Sequence, residues 1–253
     1  SKKEFDMIKK SKEEIRMRVD FHSHVVPGVD DGSKNTEMSL EMLRRMRRQG
    51  TDLVVATPHY YVGRTAPEEY LEKISDACYL LREAIQQSGE EVPKLALGYE
   101  VYYFKGISQA NFINLFTIGN SPYLLLELPT RPLTNADVED IFRIRANQGL
   151  IPILAHVERY LAFESFDFLQ DMIRQGELLA QVNADSLLKW NTRKKALAFL
   201  KNGTAQFLGS DAHNLDQRAP RLEEAMAVIE KKAGKELVQR IDRDSEALIE
   251  KCL

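Results

Sequence analysis

The sequence predicts an α/β fold in which parallel strands gather into a barrel. Three observations predict it. Short apolar runs alternate with longer helical patterns along the chain. Its 253 residues, 43% of them hydrophobic, suit one large core better than two small ones. Every histidine follows one of the apolar runs. Alternation of this kind implies parallel strands joined by right-handed crossovers. An open doubly wound sheet would alternate in the same way. The polar residues favour the barrel, because barrel strands deliver their C-terminal ends to one face, where residues distant in sequence meet.

The elements follow in order. Residues 1–17 are charged, lack the apolar stretch of a signal peptide, and read as an N-terminal extension or leader ahead of one domain, 18–253. The first strand is expected over 18–22. A helix over 36–49 has Asn35 or Thr36 as its N-cap and Gly50 as its stop. The second strand covers 53–56, and the helix over 67–87 opens with Pro67 in its first turn. Strands three and four cover 94–99 and 123–127. A helix over 135–148 ends at Gly149, followed by strand five over 151–155 and a helix over 166–174. Strand six covers 178–182, a helix 192–201, and strand seven 205–208. Helices over 221–232 and 235–251 close the chain.

The formal net charge of −3 gives no basic face, which argues against a nucleic-acid partner. No apolar run is long enough to span a bilayer, so neither membrane insertion nor an extracellular location is expected; the reading is cytoplasmic. The two cysteines, Cys78 and Cys252, read as free thiols of a reducing compartment. They also exclude a thiolate phosphatase of the C-x5-R type: Ala84 stands six residues after Cys78, and Cys252 is penultimate.

The chemistry-bearing residues sit at one kind of position. His22 and His24 follow strand one, His59 strand two, His156 strand five and His213 strand seven. Glu100 follows strand three, Glu127 ends strand four and Asp211 follows strand seven. A lone histidine after a strand is usually a satisfied turn residue. The joint pattern points instead to a metal centre. Imidazole with carboxylate suits zinc, manganese or iron, and the absence of cysteine argues against a structural thiolate site. So many potential ligands exceed the needs of one ion, so two or three are expected, sharing a carboxylate. Paired ions clamp the attacking and leaving oxygens of an in-line displacement at phosphorus and supply hydroxide as the nucleophile.

These residues carry a resemblance. Asp20-Phe-His22-Ser-His24 with Asp31, Thr57-Pro-His59, Glu100, His156 and Asp211-Ala-His213 resemble the polymerase-and-histidinol-phosphatase (PHP) superfamily. Pro27-Gly-Val-Asp-Asp-Gly32, His156-Val-Glu-Arg-Tyr160, Gln181-Val-Asn-Ala184 and Ser210-Asp-Ala-His-Asn214 resemble its manganese-dependent bacterial tyrosine-protein phosphatases of capsule and exopolysaccharide operons. Two positions depart from the pattern: Val157, where proline is usual, and Asp185, often glycine. The resemblance implies a distorted TIM-like (β/α)7 barrel of PHP type and a three-ion manganese site. His22, His24, Glu100 and Asp211 would hold the first ion. Glu100, Glu127 and His156 would hold the second. Asp31, His59 and His213 would hold the third. Asp30 competes with its neighbour Asp31 for the inward position, and the Pro-Gly-Val-Asp-Asp-Gly stretch also reads simply as a turn.

Arg159, three residues past His156, is expected to grip phosphate oxygens with its planar fork; the alternative is an ion pair with a barrel-mouth carboxylate such as Glu158. Tyr60, Tyr61 and Arg64 follow His59 and are candidate contacts to an aromatic leaving group and its phosphate, or, for the tyrosines, packing against a neighbouring loop. The resemblance implies hydrolysis of phosphotyrosine, with the tyrosine-rich tail of a membrane-associated kinase as substrate. The alternatives are a phosphatase of a small phosphomonoester such as histidinol phosphate, a nuclease module, and a metal-binding scaffold without turnover.

Overall fold

The computed structural model describes residues 17–253. The extension expected over 1–17 therefore lies outside the described residues except for Met17. The chain runs β1 (Val19–Ser23), α1 (Thr36–Arg48), β2 (Leu53–Ala56), β3 (His59–Tyr60), α2 (Pro67–Ser88), β4 (Lys94–Leu97), β5 (Glu100–Tyr102), β6 (Tyr123–Glu127) and α3 (Asn135–Gln148). It continues with β7 (Ile151–Leu154), α4 (Phe166–Gln175), β8 (Leu179–Asn183), α5 (Ala184–Leu188), α6 (Trp190–Lys201), β9 (Phe207–Gly209), α7 (Leu222–Ala233) and α8 (Lys235–Ile249). Caps chosen by the sequence set the boundaries. Asn35 accepts from Met38 N at 2.9 Å and starts α1, while Gly89 and Gly149 take the left-handed conformation that ends α2 and α3.

The strands pair in parallel, in the orders β1-β2-β4 and β3-β5-β6-β7-β8-β9. The two ladders are continuous. Gly98 N donates to Ala56 O and Glu100 N to Pro58 O, so β2 with β3, and β4 with β5, are two long strands each interrupted by a kink. The far edge joins through Asp211 N to His22 O, 2.7 Å, and His24 N to Ala212 O, 2.9 Å, which brings β9 against β1 and closes the barrel. Among the described residues, counting each kinked pair once gives seven strands, the number expected. The strand expected over 94–99 is broken at Gly98-Tyr99, because the chain there turns to follow Pro58, which has no N–H to offer a ladder. The helix expected from 192 starts at Trp190, and α5 was not foreseen; the Thr192 hydroxyl donates to Ser186 O and ties the two helices together.

Val19, Phe21, Val55, Leu125, Ile153 and Phe207, drawn from strands all round the barrel, meet in one buried cluster, with Phe21 stacked on Phe207 at 4.2 Å. Leu248, Ile249 and Cys252 pack onto the same cluster, so α8 belongs to the barrel rather than standing free. A second cluster, including Leu124, Leu126, Leu154 and Ile144, glues the outer face of the strands to the helices. Both cysteines are free, and burial raises both thiols above their ordinary pKa. Among the described residues, no helix is long and apolar enough to cross a membrane.

Candidate metal centre

Strand ends place the ligands. In β1, Asp20 pairs with Val54 and Ser23 with Ala56, so one extra residue is inserted at the point where His22 emerges. Such a bulge re-aims the end of a strand. His59 lies beside Glu100 in the β3–β5 ladder. His156 and Asp211 adopt positive φ, 33° and 52°, a conformation that costs a non-glycine residue about 1–3 kcal/mol and recurs where function demands a particular side-chain aim.

All nine candidate ligands converge. Glu100, fully buried, is the hub: Oε2 lies 3.1 Å from His22 Nε2, 3.3 Å from His24 Nε2 and 3.0 Å from His59 Nδ1, and Oε1 lies 2.9 Å from His156 Nε2. Glu127 stands 3.5 Å from His156 Nε2. Asp211 Oδ1 is 3.6 Å from His22 and 3.4 Å from His24. Asp31 Oδ1 is 3.5 Å from His59 Nε2 and 3.4 Å from His213 Nε2. Three sets of side chains are close enough to hold an ion: His22, His24 and Asp211; His59, Glu100 and Glu127; and His24, Asp31, His59 and His213. His24 and His59 each belong to two sets, so the clean three-way partition implied by the family pattern is blurred in this arrangement. His156 reaches Glu100 and Glu127 from the side.

The two neighbouring aspartates separate sharply. Asp30 is turned inward, accepting from His24 Nδ1 at 2.8 Å, His59 N at 3.0 Å and Gly32 N at 2.9 Å. Burial opposes its charge most strongly, but the hydrogen bond and charge of His24 together with the backbone N–H groups of His59 and Gly32 outweigh it and hold the carboxyl well below its ordinary range. Asp31, 66% exposed, faces His59 and His213 across the rim.

The donor set fits divalent ions. With Asp30 and Gln181 Oε1 taking the Nδ1 protons of His24 and His22, both Nε2 lone pairs face one point, 3.1 Å apart, with Glu100 and Asp211 oxygens beside them. With both rings neutral these are basic atoms with no donor among them, an arrangement that a shared cation, whether proton or metal, makes favourable. His59 Nδ1, Glu100 Oε2 and His213 Nε2 are buried and make no hydrogen bond. The electrostatics agree. Burial opposes charge on His24 and His156, yet hydrogen bonds to carboxylates outweigh it, holding His24 well above its ordinary value and His156 at about 9. Glu100 and Asp211, despite burial, are held well below theirs, His22 being the largest favourable cause for each. His213 is pushed down to about 3 by burial and by the charge of His24.

Arg159 rises from the turn after His156 and makes the ion pair with a barrel-mouth carboxylate that was its alternative reading, the partner being Asp211 Oδ2 rather than Glu158. Glu158 is buried and accepts from Asn183 N and the Ser186 hydroxyl. A second arginine, unforeseen from the sequence, completes the rim. Arg218 Nη2 lies 2.9 Å from Asp211 Oδ1 and Nη1 3.7 Å from Asp31. Asn214 folds the loop back by accepting from Asp216 N and Arg218 N. The available signal was an arginine five residues past His213.

The candidate substrate contacts divide. Tyr61 is half-buried, 5.2 Å from the His59 ring, with the Arg64 guanidinium 4.0 Å above it. Together they line a cavity of about 450 Å³ that also takes in Asp31 and His59. Tyr60 is corrected: its ring is 1% exposed and stacks on Phe116 at 3.9 Å in the core. Successive residues of a strand face opposite ways, so with His59 at the site Tyr60 must turn away.

Comparison with known proteins agrees with this architecture. The family described as Capsular polysaccharide synthesis, CpsB/CapC, matches residues 18–250. The tyrosine-protein phosphatase CpsB of Streptococcus agalactiae serotype V is 30% identical over 237 residues, covering 88% of this chain and 94% of that protein. The tyrosine-protein phosphatase YwqE of Bacillus subtilis is 29% identical over 237 residues, covering 91% of each. Among solved structures, work on YwqE from Bacillus subtilis and CpsB from Streptococcus pneumoniae, described as metal-dependent tyrosine phosphatases, gives a chain with a TM-score of 0.81 and 24% identity, covering 93% of this chain and 95% of that one. Histidinol phosphate phosphatase from Lactococcus lactis shares the fold at a TM-score of 0.55 and 13% identity, covering 88% and 93%. The barrel, its histidine-rich mouth and the match over residues 18–250 make this chain a member of the CpsB/CapC capsular polysaccharide synthesis family.

Proposed function

We propose that this chain is a metal-dependent protein-tyrosine phosphatase acting in the cytoplasm on the tyrosine-rich tail of a membrane-associated kinase of polysaccharide export. The observation that carries the reading is the meeting of four histidines on Glu100 beside two arginines and an open aromatic cavity. Kinship with curated tyrosine-protein phosphatases supplies the substrate class.

His22, His24, Glu100 and Asp211 would hold one ion, Glu100, Glu127 and His156 a second, and Asp31, His59 and His213 a third, with manganese the favoured metal. Bound ions supply an activated water and neutralise charge on the non-bridging oxygens. The chain's own residues do the rest. Arg159 and Arg218, on the solvent side of Asp211, offer two planar forks to an incoming phosphate. Tyr61, with Arg64 above it, offers a face for the phenyl ring of the leaving group beside His59. A phenolate leaves readily, which lessens the need for a general acid.

The test is a substrate panel with manganese or chelator: phosphotyrosine peptides, phosphoserine peptides, histidinol phosphate and single-stranded DNA. Manganese-dependent turnover fastest on phosphotyrosine peptides is expected. Faster hydrolysis of histidinol phosphate would move the chain to small phosphomonoesters.

A further inference from the structure

Behind the ligands lies a chain of neutral amides that the proposed chemistry does not use. Gln181, fully buried on β8, accepts at Oε1 from the backbone N–H of His156 at 2.8 Å, and the same oxygen lies 3.1 Å from His22 Nδ1. Its Nε2 donates to Asn183 Oδ1 at 2.8 Å and to Val182 O at 2.7 Å. Asn183 Nδ2 donates in turn to Asp211 Oδ2 at 2.7 Å.

The direction of this chain is fixed at both ends. A backbone N–H can only donate, so Gln181 must present its oxygen to His156. An ionised carboxylate can only accept, so Asn183 must present its NH₂ to Asp211 and its oxygen to Gln181. With Gln181 Oε1 fixed as an acceptor, His22 must carry a proton on Nδ1, so only Nε2, beside Glu100 and Asp211, can present a lone pair to an ion. One amide pair thus touches two ligand-bearing residues held at positive φ, His156 and Asp211, together with the His22 ring.

Gly209, on the neighbouring strand, keeps room for the relay. A Cβ there would stand 2.8 Å from Gln181 Nε2 and 2.6 Å from His22 Cβ.

We propose that Gln181 and Asn183 are positioning residues that fix the His22 tautomer and lock His22, Asp211 and His156 as a unit, so that the ions held through His22 and through His156 bind together. Neither amide touches substrate, and neither titrates. The inference rests on the ion-binding reading given above. If the wild-type chain took up no divalent ions, that reading would fail first; the tautomer of His22 in the ion-free chain is measured separately.

The chain has five histidines, few enough to resolve in a two-bond ¹H–¹⁵N imidazole spectrum. The wild-type chain is expected to show His22 protonated at Nδ1 with and without zinc, and at Nδ1 alone when zinc is bound. Gln181→Met, which removes the amide at similar volume, should convert His22 to a mixture of tautomers. It should also weaken ion uptake at both the His22 and His156 positions, by about 10–100-fold in equilibrium dialysis. Asn183→Leu, which cuts the link from Gln181 to Asp211 at similar volume, should also weaken both ions, so the test survives if Gln181→Met does not fold. Folded variants that keep the wild-type His22 tautomer and ion affinity would overturn the proposal. So would loss of the His22 ion alone with the His156 ion retained.

Discussion

The wall and the rim of the barrel mouth are built to different standards. In the wall formed by β1, β8 and β9, the side chains of His22, His24, Gln181 and Asp211 are at most 3% exposed or fully buried, and each is tied to a second strand. At the rim above them, Asp31 is 66% exposed, Tyr61 is half-buried and Arg64 lies over an open cavity. The difference teaches a division of labour. Buried groups with fixed partners set ion geometry, since unpaired polar atoms are costly there. The open rim has little to hold it rigid and much to offer an incoming phosphotyrosine. Changes in the wall should show up as lost ions, and changes in the rim as altered kinetics with the ions in place.

The largest effect should come from the wall. His24→Ala is expected to lower phosphotyrosine peptide turnover by about a thousandfold, roughly 4 kcal/mol of transition-state stabilisation. Bound manganese should fall with it, measured by elemental analysis of the dialysed protein. Retained ions with lost turnover would break the comparison. Arg159→Ala should cut turnover by about a hundredfold with ion content unchanged; loss of the ions instead would place Arg159 with the wall.

A smaller effect separates the neighbouring tyrosines. Tyr61→Leu should raise KM for phosphotyrosine peptides by about fivefold, roughly 1 kcal/mol, without lowering the melting temperature. Tyr60→Ala should do the reverse, costing about 3–5 kcal/mol of stability while leaving KM unchanged in the folded fraction.

A separate effect is in pH. His156, raised from 6.5 to about 9 in the ion-free chain, contributes stability that is whole below 6.5 and lost as pH rises through 9. Thermal unfolding in chelator should therefore shift to lower temperature between pH 6.5 and 9. The shift should shrink with manganese present, because a ligating imidazole is neutral. An ion-free chain more stable at pH 9 than at 6.5 would contradict the His156–Glu100 pairing.

Much of this was legible in the sequence for a physical reason. Strand ends followed by His or Glu need only pattern and position, and parallel topology then carries His22 and His213 to one face. What escaped depended on local backbone. The two-residue strand His59–Tyr60 has no periodicity to read, so Tyr60 and Tyr61 looked equivalent until the strand assigned them opposite faces. The choice between Asp30 and Asp31 rests on the turn at Gly32, where a Cβ would stand 2.4 Å from His24 Cβ. Arg218 returns to the site only because Asn214 folds its loop. Gln181-Val-Asn-Ala184 was legible as a motif, but the role of Gln181 was not, because its meaning lies in the groups that three different strand ends fix around it.

The central claim is that these side chains share one multinuclear pocket. Anomalous diffraction from crystals soaked in manganese tests it most directly. The account predicts neighbouring peaks about 3.5–4 Å apart with Glu100 between two of them. Peaks at separate surface positions, or none among His22, His59, His156 and His213, would contradict it.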